Sequence, residues 1–402
     1  MTRPLPRTEG TFFPPVMEAR RWLDGVEFPA DRPLINVSQA APVDPPPEPL
    51  RQVIADAALN RPEAHLYGPV LGLPELREEV AKQWSDAYSG TIVAGNVGIT
   101  SGCNQAFCAT LSTLCGEGDE IILPTPWYFN HKMWLDMVGV TAVPLATGDD
   151  LLPDPEAARA LITPRTRAIV LVSPNNPGGV EYPPELLRAM YQLAQSHGIA
   201  LIVDETYRDF DARSGAPHDL FGDENWGDTL IQLYSFSKAY RLTGHRVGAM
   251  VCAPQRLAQA EKFLDTVTIC PNQLGQIAAL WGMQNLGQWV AGERAEILDR
   301  RAAISEHFPK VEATGWRLLG CGAYFAYVEH PFALPSNELA PALVREAGVL
   351  VLPGTMFMPE EDTAGQRQLR IAFANVDRAG IAELFDRLSQ VSLPLAPASG
   401  KA

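Results

Sequence analysis

The stretch SFSKAYRLTGHRVG, residues 235–248, decides how this sequence is interpreted. An apolar run, TLIQLYS (residues 229–235), ends just before Lys238, and Arg246 follows eight residues after that lysine. Burial disfavours the charged form of a lysine and lowers its pKa. Lys238 is therefore either a surface amine that extends into solvent or a buried amine that serves as a nucleophile. Because no G-x-x-x-x-G-K motif precedes it, the sequence does not predict a P-loop.

Composition and charge exclude several classes of protein. The chain has 402 residues, of which 46% are hydrophobic and 20% charged, as in ordinary globular proteins of two or more domains. Its formal net charge of −15 would repel nucleic acids and anionic membranes, so neither is an expected partner. Six cysteines lie in apolar surroundings without C-x-x-C spacing, and there is no apolar leader or metal-binding motif. We therefore expect a cytoplasmic protein with reduced thiols and no metal.

Helical patterns alternate with short apolar runs between the proline-rich segment at residues 40–50 and about residue 290. This alternation predicts a mainly parallel sheet with helices on both faces. Beyond it, a long helical stretch precedes mixed strands and helices. We therefore expect a large α/β domain at residues 47–290 and a smaller α+β domain at residues 1–46 and 291–402. The predicted strands are VGITSG, DEIILP, TAVPLA, RAIVLVS, IALIVDE, TLIQLYS and VGAMVCAP.

Polar residues follow four of these strands, at the edge where open α/β sheets bind ligands. Small residues at 101–104 open a helix and expose backbone N–H groups to an anion. Asn176 lies on a proline-bounded loop, and Asp204 ends an apolar run, where a carboxylate is unfavourable without a cation or several donors. Taken singly, most of these features are compatible with ordinary turns or helix caps. Together with Lys238, they match the needs of pyridoxal phosphate, which requires an amine, an acid and phosphate donors.

Eight motifs extend this agreement along the chain: YGPVLGLPELREEVA, TSGCNQA, PTPWYFNHK, SPNNPGG, VDETY, SFSKAYRLTGHRVG, LPGTMF and LRIAFAN. From about residue 33 to about residue 390, the sequence resembles the class I/II aminotransferases, the aspartate-aminotransferase-like branch of fold-type I pyridoxal-phosphate enzymes. The resemblance implies an α/β fold, with a large domain around a mainly parallel seven-stranded sheet and a smaller α+β domain. It also implies bound pyridoxal 5′-phosphate and a homodimer.

The resemblance assigns roles to residues that match the family motifs. Lys238 would form the Schiff base with the cofactor and move the proton at the substrate Cα. Asp204 would pair with the protonated ring nitrogen, while Asn176 and Tyr207 would donate to the ring 3′-oxygen. The phosphate would be bound by residues at the ends of two strands: Gly102, Cys103, Asn104, Ser235 and Arg246.

Further matches concern the surroundings of the cofactor. Tyr128 would stack on its ring, with Trp127 as the lesser candidate. His131 matches a histidine that supports the ring-nitrogen aspartate, although an ordinary core histidine is an equal alternative. Tyr67 matches a tyrosine that reaches the phosphate of the neighbouring subunit, so that each active site would be shared across the dimer.

Substrate contacts are implied in the same way. Arg370 matches the arginine that binds the substrate α-carboxylate by a bidentate pair, and Asn176 and Ala40 would lie beside the substrate. Where aspartate-specific relatives place a cation for the distal carboxylate, this chain has Asn104 in one branch's position and no arginine in residues 263–276. We therefore expect a neutral or aromatic donor, unless Lys262 or another residue supplies a cation.

The expected activity is ping-pong transamination between an amino acid and a 2-oxo acid. A C–S β-lyase on the same scaffold is the main alternative, because the lysine, aspartate and arginines would be shared. A ligand-sensing regulatory domain is disfavoured by the net charge of −15 and by the short segment before residue 33. A nicotinamide enzyme is excluded because no G-x-G-x-x-G follows the first strand.

Overall fold

A computed structural model describes residues 6–397. The strands are β1 (Ile35–Asn36), β2 (Val97–Thr100), β3 (Glu120–Thr125), β4 (Thr141–Ala146), β5 (Thr166–Val172), β6 (Ala200–Asp204), β7 (Leu230–Ser235), β8 (Gly248–Val251), β9 (Arg317–Gly322), β10 (Phe325–Glu329), β11 (Val349–Leu350), β12 (Leu352–Pro353) and β13 (Gln368–Ile371). The α-helices are α1 (Pro15–Arg21), α2 (Glu48–Asn60), α3 (Pro74–Tyr88), α4 (Cys103–Leu114), α5 (Phe129–Val138), α6 (Pro155–Leu161), α7 (Pro184–Ser196), α8 (Phe236–Ala239), α9 (Pro254–Thr268), α10 (Gln273–Asn285), α11 (Gly287–His307), α12 (Pro309–Glu312), α13 (Ser336–Ala347) and α14 (Arg378–Ser389). Within residues 6–397, no helix combines the length and apolar character needed to cross a membrane.

Seven strands form the large sheet, in the order β2-β8-β7-β6-β5-β3-β4. β8 is antiparallel to both of its neighbours, and every other pair is parallel. Each of the seven coincides with one of the apolar runs that the sequence predicted as strands. The prediction of a mainly parallel seven-stranded sheet is therefore confirmed.

The central strands of this sheet are mostly apolar because both faces are covered. In β6, Leu201 and Val203 belong to a core that includes side chains of α3 and α7. Ala200 and Ile202, which alternate with them, belong to a second core with side chains of α4 and α9. A strand covered on both faces reads as a continuous hydrophobic run rather than an alternating one. Its first polar side chains consequently lie at its end.

The C-terminal third builds a second unit around an antiparallel sheet of order β12-β13-β10-β9. The N-terminal segment joins this unit, because β1 pairs in parallel with β11, with Ile35 opposite Val349. On this basis we propose a small domain of residues 1–46 and 291–402 beside a large domain of residues 47–290. The two ends of the small domain, residues 1–5 and 398–402, lie outside the described part of the chain.

Candidate active site

A cavity of about 340 Å³ lies where β5, β6 and β7 end. Parallel strands bring their carboxyl ends to one edge of a sheet, so residues distant in sequence meet there. Residues of the small domain and of α1 close the other side of the cavity. Eleven of the residues that the sequence singled out line it: Ala40, Cys103, Asn104, Tyr128, Asn176, Asp204, Tyr207, Ser235, Lys238, Arg246 and Arg370.

Lys238 lies in the single-turn helix α8, which follows β7 directly. Its Nζ donates a hydrogen bond to the backbone oxygen of Ala40 over 2.6 Å. Burial, helped by the positive charges of Arg246 and Arg370, lowers the pKa of Lys238 to about 8. Within residues 6–397, no carboxylate lies within ion-pairing distance of this amine. At pH 7 roughly a tenth of the amine is therefore uncharged, far more than for an ordinary lysine, and this fraction is able to act as a nucleophile.

Asp204, the last residue of β6, presents a buried carboxylate to the cavity. One carboxylate oxygen accepts hydrogen bonds from the Thr206 backbone N–H over 3.0 Å and from its hydroxyl over 2.7 Å. The other oxygen is 3.3 Å from Nε2 of His131 on α5. Burial raises the pKa of Asp204, but His131 and Thr206 outweigh this effect and hold the pKa below its usual value. The cavity thus contains a carboxylate that is ionised despite its burial.

A glycine turn and an arginine form the end of the cavity near α4. Gly102 has φ of +89°, and a Cβ at this position would overlap the guanidinium of Arg246. Arg246 donates to the hydroxyl of Ser237 over 3.4 Å, and Ser235 Oγ accepts from the Ser237 backbone N–H over 3.3 Å. The first backbone N–H groups of α4 point out of the same turn. Hydroxyls, a guanidinium and a helix N-terminus together suit a phosphate group.

Arg370, on β13, carries a guanidinium that is almost fully buried, with 2% of the residue exposed. Its Nη1 donates to Oδ1 of Asn176 over 3.0 Å, and its Nη2 donates to the backbone oxygen of Ser38. The rings of Phe325 and Phe357 lie 5.0 Å from its Cζ, and burial lowers its pKa to about 10. Among residues 6–397, its Nε has no hydrogen-bond partner. A buried cation with an unused donor is suited to an anionic ligand such as a carboxylate.

Comparison with known proteins identifies the family. Residues 32–388 match aminotransferase class I and II. The chain belongs to this family. It is thus an enzyme of the transaminase type, and the family to which it belongs uses pyridoxal phosphate. The predicted family, fold and type of activity are confirmed.

Individual relatives of this aminotransferase carry several names. An aromatic aminotransferase of Arabidopsis thaliana is 28% identical over 360 residues, covering 87% of each chain. A valine–pyruvate aminotransferase of Mycobacterium tuberculosis is 30% identical over 355 residues, covering 85% of this chain and 87% of that one. A mutant of Thermus thermophilus aspartate aminotransferase superimposes with a TM-score of 0.86 at 24% identity, covering 98% of this chain and all of that one. That likeness shows the shared fold.

Three of the residues to which the resemblance assigned a role at the cofactor lie outside the cavity lining of the aminotransferase. Tyr67 is 80% exposed on the surface. His131 is buried behind Asp204, with its ring stacked on Phe107 at a centroid distance of 3.9 Å. Gly102 lies next to the cavity, and because it has no side chain the guanidinium of Arg246 can occupy the adjacent space.

The structure also separates the alternatives that the sequence left open. Tyr128 lines the cavity, whereas Trp127 lines different pockets. Lys262, considered as a possible distal cation, donates to Gln259 on the exposed face of α9 and does not line the cavity. Arg20 of α1 does line it. No motif covers α1, which precedes the proline-rich segment, so the sequence offered no signal for Arg20.

Two further cavity residues were assigned no role although they lie beside predicted ones. Thr206 follows Asp204 by two residues, and Ser237 immediately precedes Lys238. Both are hydroxyl residues next to a functional side chain at a strand end. That position could have identified them, because residues next to a functional side chain in a short loop at a strand end lie in the same pocket.

Proposed function

We propose that this aminotransferase binds pyridoxal 5′-phosphate in the cavity and transfers an amino group between an amino acid and a 2-oxo acid by a ping-pong mechanism. The observation that carries the proposal is that Lys238 and Arg370 line one cavity. The first provides an amine with a lowered pKa, and the second provides a buried cation with an unused donor. Transamination needs both, because an amine must reach the Cα of a substrate whose carboxylate is held in place.

The residues present fit the cofactor. Arg246, the Gly102 turn and the first N–H groups of α4 would hold its phosphate, and Asp204 would pair with its protonated ring nitrogen. The remaining contacts would come from four cavity residues and the partner subunit's Tyr67, described below: Asn176 and Tyr207 toward the 3′-oxygen, Tyr128 against the ring, and Ser235 toward the phosphate. When bound, pyridoxal phosphate supplies an electron sink for the substrate Cα.

The side chains of the cavity divide the remaining work. Arg370 would hold the substrate α-carboxylate, and Asn176 would fix the guanidinium through the 3.0 Å hydrogen bond that it accepts. A carboxylate fixed in two places orients the Cα–H bond toward Lys238. Lys238, whose pKa is about 8, would take this proton from the amino donor. In the second half-reaction it would supply a proton to the corresponding carbon of the acceptor. Ala40 would lie beside the substrate, where its carbonyl holds Nζ.

For the amino donor, we propose a neutral or aromatic amino acid rather than aspartate. Four apolar side chains line the cavity where α1 and α5 meet: Pro15, Val16, Met17 and Phe129. An apolar wall stabilises an uncharged side chain by removing it from water. The names of the Arabidopsis and Mycobacterium relatives, aromatic and valine–pyruvate aminotransferase, support the same direction.

A cytoplasmic homodimer with shared sites is part of the proposal. Tyr67 and its neighbour Leu66 are 80% and 66% exposed, and large exposed apolar side chains often mark an interface. Tyr67 would then reach the phosphate in the site of the neighbouring subunit. All six cysteines are free thiols, which supports a reducing compartment. The net charge of −15 supports small-molecule substrates without a nucleic-acid or membrane partner.

A half-reaction screen tests this proposal. Each amino acid is mixed with purified, cofactor-loaded protein without an acceptor, and the cofactor absorbance and the 2-oxo acid product are followed. One equivalent of 2-oxo acid per site, with conversion of the cofactor to its amino form, is expected for at least one donor. Pyruvate and ammonia released over many turnovers would instead support the C–S β-lyase, which the relatives do not favour. Lys238→Ala serves as the inactive control.

A further inference from the structure

The segment at residues 38–40 holds three cations of the active site through neutral oxygen atoms. The contacts are Arg370 Nη2 to Ser38 O, Arg20 Nη2 to Gln39 Oε1 over 2.7 Å, and Lys238 Nζ to Ala40 O over 2.6 Å. Within residues 6–397, none of the three cations lies within ion-pairing distance of a carboxylate. Because a carboxylate binds a guanidinium or an ammonium group more strongly than a neutral oxygen does, each of these cations is available to an anionic ligand.

The cavity contains more cationic side chains than the cofactor and an amino acid with an uncharged side chain would bind. Among residues 6–397, the charged residues that line it are Arg20, Arg246, Arg370 and Lys238, with Asp204 as the one acidic residue. In the proposed function, Arg246 is used by the cofactor phosphate, Arg370 by the α-carboxylate and Lys238 by the reacting carbon. Arg20 is left over. In a chain with a net charge of −15, an extra cation inside a binding cavity attracts a further anion.

We infer that Arg20 determines specificity by binding the second carboxylate of a dicarboxylic substrate, above all a five-carbon dicarboxylic 2-oxo acid that serves as amino acceptor. This inference rests on the proposed aminotransferase function and deepens it. The substrate carboxylate would replace the amide of Gln39 on the guanidinium, exchanging a neutral partner for a charged one. With an uncharged substrate, Arg20 would keep its hydrogen bond to Gln39.

The surroundings of Arg20 explain how one cavity would serve both classes of substrate. Met17, one turn earlier on α1, lines the same cavity, so α1 presents an apolar and a cationic side chain together. Arg20 is exposed, and its guanidinium can therefore move without disturbing the core. An apolar donor would contact Met17, and a dicarboxylic acceptor would contact Arg20.

The test compares Arg20→Gln with Arg21→Gln in the holoenzyme. Arg21 is the matched control, because it follows Arg20 on α1, is exposed and lies with its guanidinium 5.2 Å from the ring of Phe13, outside the cavity lining. The measured quantity is kcat/KM for 2-oxoglutarate divided by kcat/KM for pyruvate. We expect this ratio to fall about 10- to 100-fold in Arg20→Gln and by less than about twofold in Arg21→Gln. An unchanged ratio in Arg20→Gln, or a wild-type enzyme that accepts pyruvate alone, overturns the inference.

A binding measurement separates this inference from the proposed function. Glutarate and pentanoate have five carbons and lack the oxo group, and they differ in one carboxylate. Their dissociation constants for the holoenzyme are measured by the change in cofactor absorbance or in the unfolding temperature. Selective weakening of glutarate binding in Arg20→Gln supports the role of Arg20 even if transamination fails. Equal weakening of both ligands, or of neither, contradicts it even if transamination is observed.

Discussion

Nε2 of His131 lies 3.3 Å from Oδ2 of Asp204, in a part of the sheet edge where both residues are buried. The second oxygen of the carboxylate is held by Thr206. Burial alone would raise the pKa of this aspartate, and the two neighbours reverse the direction. The negative charge beside the cavity is thus a property of three residues rather than of Asp204 alone.

Replacement of His131 by Phe is expected to remove part of the interaction that lowers the pKa of Asp204. Because the pKa of Asp204 is lowered in the folded protein, its ionised carboxylate stabilises the folded state above the ordinary aspartate pKa of about 3.9. This stabilisation is lost as pH falls through the pKa of the folded state. The free energy of unfolding of the variant should therefore lie below that of the wild type above about pH 5, and the gap should narrow toward pH 3. Urea unfolding across this range measures it. His197→Gln, at an exposed position after α7, is the control, and a gap that stays constant with pH would contradict the prediction.

Lys238 should make the stability of the apoprotein depend on pH at the alkaline end. The pKa of Lys238 is about 8 in the folded protein and 10.5 ordinarily. Its contribution to the free energy of unfolding is therefore complete above pH 10.5 and is lost as pH falls through about 8. Relative to Lys238→Met, the wild type should gain on the order of 3 kcal/mol between pH 7 and pH 10.5. Denaturant unfolding of both apoproteins measures this difference. Lys262→Met, on the surface of α9, should follow the wild-type curve.

Gly102→Ala is expected to weaken cofactor binding about 10- to 100-fold, because the new Cβ displaces the Arg246 guanidinium from the phosphate site. Gly118→Ala is a matched control, since Gly118 has a similar φ of +86° but, apart from its chain neighbours, no atom of another residue in the described part of the chain lies within 4 Å of its Cβ position. Both variants place an alanine at a positive φ, which strains the backbone by about 1–3 kcal/mol. Cofactor titration of the apoproteins measures the affinities. Equal losses in both variants would assign the effect to strain alone.

Arg370→Lys is expected to lower kcat/KM for the amino donor about 100-fold while the cofactor stays bound. A lysine keeps the positive charge but lacks the planar fork, so it cannot form the bidentate pair while also holding Asn176. Arg367→Lys, three residues earlier, changes the same side chain where its partner is the backbone oxygen of His330. Steady-state kinetics and the cofactor spectrum are measured together. Full activity in Arg370→Lys would exclude Arg370 as the carboxylate-binding residue.

Tyr67 should act in the site of the neighbouring subunit, because it is 80% exposed on its own chain and does not line its own cavity. Tyr67→Ala and Lys238→Ala chains, each poorly active alone, should regain activity when mixed dimers form. One site of such a dimer then combines an intact Lys238 with the intact Tyr67 of the other chain. Up to half of the wild-type activity per mixed dimer is expected. Mixed dimers as inactive as the parents would place Tyr67 outside the shared site.

Most of the large domain could be predicted from local sequence. Strands covered on both faces are nearly continuous apolar runs, so β6 and β7 are visible as such, and their last residues, Asp204 and Ser235, mark the ligand edge. Lys238 follows from the same pattern, since it lies three residues after the end of a buried strand. These features depend on neighbours along the chain, which is why one sequence was enough to find them.

Contacts between distant segments were decided only by the tertiary structure. The pairing of β1 with β11, the three cations gathered on residues 38–40, and the placement of Arg20 rather than Lys262 in the cavity join segments that no local pattern connects. Hydrophobic periodicity and strand-end residues determine which side chains are buried and where a sheet binds ligands. Which charges meet there depends on how the small domain and α1 pack against that edge, and packing is a property of the whole chain.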